Sequence, residues 1–259
     1  MGGGLLGGGA VTVTNSTIVG NSTAGDEAFG GGLVAVGELT VTNSTIVGNS
    51  TAGDEAFGGG LLTFSDLTVT NSTISGNSAA RADGGGFFAA ATSGGSVTLT
   101  DSIVLGNTAG GAGDEISGGA ERRFEGANIV GADPAAFDAS ALDNVTNAEP
   151  AAVFQSVDAN GAGVLADNGG PTQTIAILPF GPAHEAGSSA EATDQRGLPR
   201  AVGAAPDIGA FEIQEIAGMN VTTAEDVVAD DGQTSLREAI LAANAVADLT
   251  TITIDQGVG

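Results

Sequence analysis

Pairs of acidic residues in glycine-flanked turns are the first candidates for chemistry in this chain. A GDE sequence supplies each pair: Asp26-Glu27, Asp54-Glu55 and Asp114-Glu115. If the first two turns stack like neighbouring strands, about 4.8 Å apart, their carboxylates would approach one another closely enough to share a cation. Calcium prefers such oxygen ligands, but the spacing matches neither an EF-hand nor a nonapeptide calcium repeat. We expect a hydrated acidic face, with a calcium site at Asp26, Glu27, Asp54 and Glu55 as the alternative.

A second group of ionisable residues lies in the C-terminal half. His184 is the one histidine and would be a natural acid or base, but no nucleophile motif accompanies it, so we interpret it as a partly exposed turn residue. Two arginines lie near three acids in sequence: Arg196 and Arg200, with Asp194, Asp207 and Glu212. We expect structural ion pairs here rather than a substrate site.

The overall charge excludes whole classes of partner. Six arginines and no lysine oppose 31 acidic residues, which gives a formal net charge of −25. Nucleic acids and anionic membrane surfaces would be repelled, and the composition suggests a halophilic protein whose self-repulsion is screened by salt. Because no stretch reaches the roughly 20 apolar residues of a membrane span, we expect no membrane insertion of this segment.

A tandem repeat organises the first half of the chain and positions the acidic turns. The segment Asn15–Leu33 returns unchanged as Asn43–Leu61, and looser copies begin at Asn71 and Asp101. A short VTVT, LTVT or VTLT run introduces each copy. Repeats of this length indicate structural units that bury their apolar faces only by stacking on one another.

The apolar residues of each copy alternate with threonines, which is the two-residue period of a strand. The positions expected to face inward are Val11, Val13 and Ile18; Leu39, Val41 and Ile46; Leu67, Val69 and Ile74; and Val97, Leu99 and Val104. Glycine triplets at 30–32, 58–60 and 84–86 would let the chain bend sharply between strands. The sequence therefore predicts an all-β fold, a right-handed parallel β-helix with irregular final coils and one short helix near the C-terminus.

Asparagines recur at two turns of every copy. The first turn carries Asn15, Asn43 and Asn71, with Asp101 in the fourth copy, and the second carries Asn21, Asn49, Asn77 and Asn107. Asparagine tolerates left-handed backbone angles, and its amide can bond to the backbone or to the amide of the next coil. We expect both sets to form structural ladders.

The alternation of GGGL with LTVTNSTISGN resembles the repeats of polymorphic outer-membrane proteins and related pectin-lyase-like β-helix proteins. This resemblance covers residues 1–120 and implies the fold more than an activity. Three later blocks, at Asp167–Thr174, Asp194–Arg200 and Asp207–Glu212, resemble the choice-of-anchor Q domain of secreted repeat proteins, and we assign them with the final coils to residues 121–216.

The last part, residues 217–259, contains TSLREAILAANA and resembles a CSLREA module with Thr234 in place of the cysteine. Ser235 and Glu238 have the spacing of a helix capping box, and Leu236, Ile240 and Ala243 would line one face of that helix. In related proteins such a module precedes a β-helix, and the chain opens on the GGGL that closes a coil. We therefore expect this chain to be a window on a longer tandem array.

Three functions remain open on these grounds. The resemblances imply a non-catalytic extracellular or cell-surface repeat protein, a stalk, coat or adhesin, whose partner is a surface or matrix component such as a glycan. A polysaccharide lyase or hydrolase is the alternative, although the chain has no tryptophan, tyrosine or lysine for sugar platforms and bases. The second alternative is ice binding through the outward threonines of the Thr-x-Thr runs. No cofactor is expected, calcium excepted.

Overall fold

The computed structural model describes residues 2–26, 28–80, 83–90, 94–110, 115–131, 145–200, 202–214, 220–245 and 252–258. Its first half winds into stacked coils, each made of three or four short strands. Coil 1 contains β1 (Leu5–Gly7), β2 (Val11–Thr14), β3 (Thr17–Val19) and β4 (Ser22–Thr23). Coil 2 contains β5 (Leu33–Ala35), β6 (Leu39–Thr42), β7 (Thr45–Val47) and β8 (Ser50–Thr51).

The later coils repeat this order. Coil 3 contains β9 (Leu61–Thr63), β10 (Leu67–Thr70), β11 (Thr73–Ser75) and β12 (Ser78–Ala79), and coil 4 contains β13 (Phe87–Ala89), β14 (Ser96–Thr100), β15 (Ile103–Val104) and β16 (Thr108–Ala109). Coil 5 contains β17 (Ile116–Gly118), β18 (Glu121–Glu125) and β19 (Asn128–Val130), and β20 (Val145–Thr146) pairs with β19. Coil 5 therefore runs past the predicted boundary at residue 120.

Equivalent strands of successive coils pair in parallel and form four sheets. Sheet A is β1-β5-β9-β13-β17, sheet B is β2-β6-β10-β14-β18, sheet C is β3-β7-β11-β15-β19-β20 and sheet D is β4-β8-β12-β16. The register matches the repeat, since Leu39 lies beside Val11 on one side and Leu67 on the other. This is the expected parallel β-helix.

The core between the sheets consists of the predicted inward residues. Leu39, Val41 and Ile46 of coil 2 are fully buried, as are their equivalents in coil 3. The intervening Thr40 and Thr42 are partly exposed. Burial of a valine, leucine or isoleucine side chain stabilises by about 1.5–3 kcal/mol, so continuous aliphatic ladders stabilise the stack.

Residues 150–214 do not continue the stack but cover the outer face of sheet C. The segment contains α1 (Pro150–Val153) and a pair of antiparallel strands, β21 (Leu165–Ala166) and β22 (Thr174–Ile175). Phe154 and Phe211 pack with Val47 and Ile103, which point outward from sheet C, in a second hydrophobic core. Phe154 and Phe211 therefore bury against an existing sheet face and do not form one of the final coils expected in residues 121–216.

The last described part contains β23 (Asn220–Val221), α2 (Leu236–Ala245) and β24 (Thr253–Ile254), and β23 pairs in parallel with β24. Ala239 and Ala242 form the buried side of α2, whereas Leu236 and Ile240 are exposed. The apolar face predicted for this helix, with Leu236 and Ile240, is therefore its exposed face. Among the described residues, no helix has the length and apolarity needed to cross a membrane.

Candidate functional site

The acidic turns stack in register on the surface of the β-helix. A side chain added at Gly53 would lie 2.0 Å from the Gly25 carbonyl oxygen, so the two GDE turns are in direct contact. Asp26, Asp54 and Glu55 are exposed, and Glu55 has a φ of 58°. Glu27 lies outside the described residues. Within the described chain, no group of three or more His, Asp or Glu side chains is placed to hold a metal ion, so calcium binding stays a prediction.

The third GDE sequence has a different role, because its glutamate turns into the protein. Glu115 is buried, and its Oε1 accepts the Gly106 N–H at 2.9 Å. Its Oε2 accepts the Asn107 side-chain amide at 2.6 Å. Asp114 lies outside the described residues. The Glu115 carboxylate thus binds the end of the asparagine series.

The second-turn asparagines form a ladder of side-chain amides through the coils. Asn21 donates its Nδ2 to Asn49 Oδ1 at 3.0 Å, Asn49 to Asn77 at 2.9 Å, and Asn77 to Asn107 at 2.9 Å. Each Oδ1 also accepts the backbone N–H of the preceding asparagine in the series, as Asn49 Oδ1 does from Asn21 N at 3.0 Å. The buried amides therefore satisfy one another without water.

The last glycine of each triplet makes room for this ladder. A Cβ at Gly32 would lie 3.0 Å from Asn49 Cγ and 2.6 Å from the Gly60 carbonyl oxygen. Gly60 stands in the same relation to Asn77. The triplets therefore serve close packing against the ladder as well as chain bending, a role that the sequence interpretation missed.

A serine ladder beside sheet C was also missed. Ser16 N, Ser44 N and Ser72 N each donate to the serine Oγ of the next coil at 3.2 Å, and Ser102 N donates to Asn128 Oδ1 at 3.0 Å. The repeated Asn-Ser dipeptide, conserved through the first three copies of the chain, was the available signal.

The first-turn asparagines adopt the left-handed backbone expected of them, with φ of 46° at Asn43 and 47° at Asn71. Their side chains, however, point to residues 188–200 instead of to each other. Asn43 Nδ2 donates to the Thr193 carbonyl oxygen at 3.1 Å, and Asn71 Nδ2 donates to Ser189 Oγ at 2.6 Å. Asn43 and Asn71 therefore do not form the predicted amide ladder. They form a docking edge, a row of side chains that bind the segment covering sheet C. Asn15 adopts the left-handed turn, with a φ of 47°.

Asp101 continues this edge in the fourth copy. It accepts hydrogen bonds from Ser188 N and Ala127 N at 3.0 and 2.9 Å. Gln195 reaches sheet C from the same segment: it accepts Thr45 Oγ1–H at 2.7 Å and donates to Thr17 Oγ1 at 2.8 Å. Polar groups at matching positions of successive coils therefore fix the position of the segment that covers sheet C, which we call the covering segment.

The arginines and acids predicted to form ion pairs come together within the covering segment itself. Arg196 Nε lies 2.8 Å from Asp194 Oδ2, and its guanidinium stacks 3.8 Å from the centre of the Phe211 ring. Arg200 Nη1 lies 3.5 Å from Glu212 Oε2. These side chains are buried, so the blocks Asp194–Arg200 and Asp207–Glu212 fold into one interior cluster.

Arg200 connects the cluster to the β-helix. Its Nη2 donates to Asn43 Oδ1 at 3.3 Å and to the Gly209 carbonyl oxygen at 2.9 Å, and its Nη1 donates to the Asp207 carbonyl oxygen at 3.1 Å. A buried guanidinium with so many carbonyl partners fixes a chain path rather than binding a ligand from solvent.

Burial dominates the ionisation of these groups. It raises the pKa of the Glu212 carboxyl to about 8, with a further increase from the Asp207 charge. Burial also raises the pKa of Asp207, and it lowers the pKa of Arg200 against the opposing attraction of Glu212. His184, by contrast, is a partly exposed turn residue whose Nδ1 accepts the Phe180 N–H at 3.0 Å.

The outer face of sheet B carries the predicted threonines in two columns. Four coils contribute in register: Thr12, Thr40, Thr68 and Thr98 in one column, and Thr14, Thr42, Thr70 and Thr100 in the other. All of them are exposed or partly exposed. Arg123 and Glu125 take the corresponding positions in β18.

A cluster of phenylalanines lies beside sheet A; we name it the phenylalanine patch and define it as Phe29, Phe57, Phe64 and Phe88. All four rings are partly exposed. Phe57 and Phe88 lie 4.6 Å apart between ring centres, and Phe29 and Phe57 lie 6.3 Å apart with nearly parallel planes. Phe29 and Phe57 come from the GDEAF sequence of successive copies, so the stacking of coils assembles the patch.

At the other end of the chain, Ser235 and Glu238 form both hydrogen bonds of a capping box. Ser235 N donates to Glu238 Oε2 at 2.8 Å, and Glu238 N donates to Ser235 Oγ at 3.2 Å. Glu238 Oε1 also accepts the Ala229 N–H at 2.9 Å. These contacts stabilise the start of α2 and the loop before it.

Comparison with known families supports the architecture. Residues 2–129 match the family model for a right handed beta helix region. No curated protein and no solved structure matches the chain. The matched residues are those of the stacked coils, so the family match and the structure agree on a parallel β-helix in this part of the chain.

Proposed function

We propose that this chain is a non-catalytic extracellular or cell-surface repeat protein that acts as a stalk, coat or adhesin. The observation that carries the proposal is the burial of the Arg196 and Arg200 guanidinium groups against Asp194, Asp207 and Glu212. A lyase or hydrolase would need such groups at the surface of a groove, facing the substrate. Here they fix the covering segment on sheet C.

The sequence blocks that form this cluster also support a surface location, because they are the ones that resemble the choice-of-anchor Q domain. A rigid β-helix with one face covered by such a module presents its remaining faces along an elongated axis, which suits a spacer or a binding scaffold. Extracellular placement is thus part of the same proposal.

We place the partner contact of such an adhesin on the phenylalanine patch. Partly exposed aromatic rings offer faces and edges to the C–H groups of sugars. The net charge of −25 would repel acidic glycans, so the chemistry favours a neutral glycan.

Two measurements test this proposal. Incubation with pectin, alginate and neutral glycans should release no unsaturated or reducing ends above a heat-killed control, and turnover abolished by one Asp→Asn change would replace the proposal with a lyase or hydrolase. Binding measured on an array of neutral glycans should be lost in Phe57→Ser/Phe88→Ser and kept in Leu198→Ser, which changes an exposed apolar residue elsewhere. Equal binding by both variants would exclude the patch as the contact surface.

Ice binding is a second candidate, supported by the in-register threonine columns on sheet B. Neighbouring strands repeat at about 4.8 Å, so the hydroxyl and methyl groups of the eight threonines form a regular array. Thermal hysteresis measured on the pure protein should then vanish in Thr40→Lys/Thr68→Lys. Absence of hysteresis in the unmodified protein would remove this candidate and leave the adhesin proposal unaffected.

A further inference from the structure

One stretch of the covering segment, residues 188–195, runs along the axis of the β-helix and crosses four coils. Neighbouring coils lie about 4.8 Å apart, so coils 1 and 4 are about 14 Å apart. Eight residues can reach about 25 Å, and the stretch therefore contacts all four coils in one pass. Its hydrogen bonds follow the order of the coils: Ser188 to Asp101 of coil 4, Ser189 to Asn71 of coil 3, Thr193 to Asn43 of coil 2, and Gln195 to Thr45 of coil 2 and Thr17 of coil 1.

A second stretch, residues 207–213, follows the same edge beside the first. Its Ala210 N donates to Thr73 Oγ1 of coil 3 at 3.1 Å. The two stretches also bind each other, since Gln195 N donates to the Ala210 carbonyl oxygen at 3.1 Å. We call residues 188–195 and 207–213 together the axial clamp.

Buried arginines hold the two stretches of the axial clamp together. Arg196 pairs with Asp194 of the first stretch and donates to the Glu212 carbonyl oxygen of the second. Arg200 donates to the Gly209 carbonyl oxygen at 2.9 Å. Both guanidinium groups are shielded from water, and hydrogen bonds are electrostatically stronger there than in solvent. The ion cluster therefore keeps the clamp in one piece while the clamp binds the coils.

A clamp of this kind changes how a stack of coils can come apart. In a plain solenoid each repeat contacts only its neighbours, so its coils can be lost one at a time. Here a single element contacts four coils through buried partners such as Asn43, Asn71 and Asp101. A coil that leaves the stack must break its bonds to the clamp as well as its strand pairing. Release of the clamp, in turn, removes contacts from every other coil that it binds.

We propose that the axial clamp makes coils 1–4 come apart together under load instead of one by one. The clamp crosses the strands and runs parallel to the helix axis, so a force that separates the coils along this axis also loads the hydrogen bonds of the clamp. This inference concerns the mechanics of the fold and is independent of the adhesin proposal.

The test is single-molecule pulling on the full chain, with handles attached through Thr40→Cys and Thr98→Cys. These positions lie on the outer face of sheet B in coils 2 and 4, and the chain has no other cysteine. Release of the 58 residues from position 40 to position 98 in one event lengthens the chain by about 200 Å, whereas release of one 28-residue repeat lengthens it by about 100 Å. We expect a single step of about 200 Å, and separate steps of about 100 Å would overturn the proposal.

Substitutions in the clamp should divide this single step. Ser189→Ala/Gln195→Ala removes bonds to coils 1, 2 and 3, and we expect steps of about 100 Å at a lower force. Thr17→Val/Thr45→Val removes the partners of Gln195 from the coil side with little change of shape, and it should have the same effect.

Asn168→Ala is the matched control, because the Asn168 side chain donates to Thr174 within the covering segment and not to a coil. This variant should keep the single step. Circular dichroism checks that each variant is folded. A single step that persists in both double variants, or a step that also divides in Asn168→Ala, would overturn the proposal.

Discussion

Truncation of one ladder asparagine, Asn49→Ala, measures how much the buried amide series stabilises the helix. Asn49 is fully buried. Its Oδ1 accepts two hydrogen bonds from Asn21 at 3.0 Å each, and its Nδ2 donates to Asn77 Oδ1 at 2.9 Å and to the Ile18 carbonyl oxygen at 3.0 Å. Removal of the amide leaves several of these groups without a partner in a site closed to water.

The expected loss follows from the cost of buried, unsatisfied polar groups. Such groups cost about 1–3 kcal/mol, and we expect a loss of unfolding free energy in that range for Asn49→Ala. Asn21 occupies the same position of an identical repeat but is partly exposed. There, water replaces the lost hydrogen bonds, so Asn21→Ala should cost less than about 1 kcal/mol.

Urea unfolding followed by circular dichroism at constant high salt gives the free energies, and thermal unfolding gives an independent check. For a chain of this size, each kcal/mol lowers the melting temperature by about 2–4 °C. Thr42→Ala, on the partly exposed face of sheet B, is the surface control and should cost less than about 0.5 kcal/mol. If Asn49→Ala and Thr42→Ala are equally mild, the ladder is not a source of stability and the reasoning fails.

Three further outcomes are expected. The melting temperature should rise from dilute buffer to molar NaCl, because screening relieves the repulsion of a net charge of −25, and a flat or falling melting temperature would contradict the halophilic interpretation. The unfolding free energy should fall as pH rises from about 4.5 to 8, because folded Glu212, with a pKa raised to about 8, holds a proton that the unfolded chain has released; Glu212→Gln should flatten this dependence at constant high salt, and an unchanged slope would mean that another group causes it. Millimolar calcium at constant ionic strength should raise the melting temperature if the acidic turns form a site, and a gain that survives in Asp54→Asn would show that the site lies elsewhere.

The sequence by itself determined the architecture of the first half. Because Leu39 and Val41 alternate with Thr40 and Thr42, the sequence predicts which face of sheet B points inward. The repeat offset predicts the register, since each coil packs against a near copy of itself. These are local rules: a two-residue period and a stack of identical units leave one consistent arrangement. The grouping of Arg196 and Arg200 with Asp194, Asp207 and Glu212 was also expected from sequence, although the individual partners were not assigned.

Only the tertiary structure decided where residues 150–214 lie. The apolar side chains Phe154 and Phe211 could have formed a further coil or covered an existing sheet, and both options have the same sequence pattern. The choice depends on contacts with residues far away in the chain, such as the hydrogen bond from Gln195 to Thr17 across 178 positions.

The same distance explains the two docking asparagines. Asn43 and Asn71 have the sequence surroundings of ladder residues, yet a segment more than a hundred positions later supplies their partners. Glu115, in the same GDE sequence as the two surface turns, is buried and binds the last amide of the asparagine ladder. A repeated motif fixes the local turn, but the neighbour that its side chain meets depends on where the repeat ends and on what folds over it.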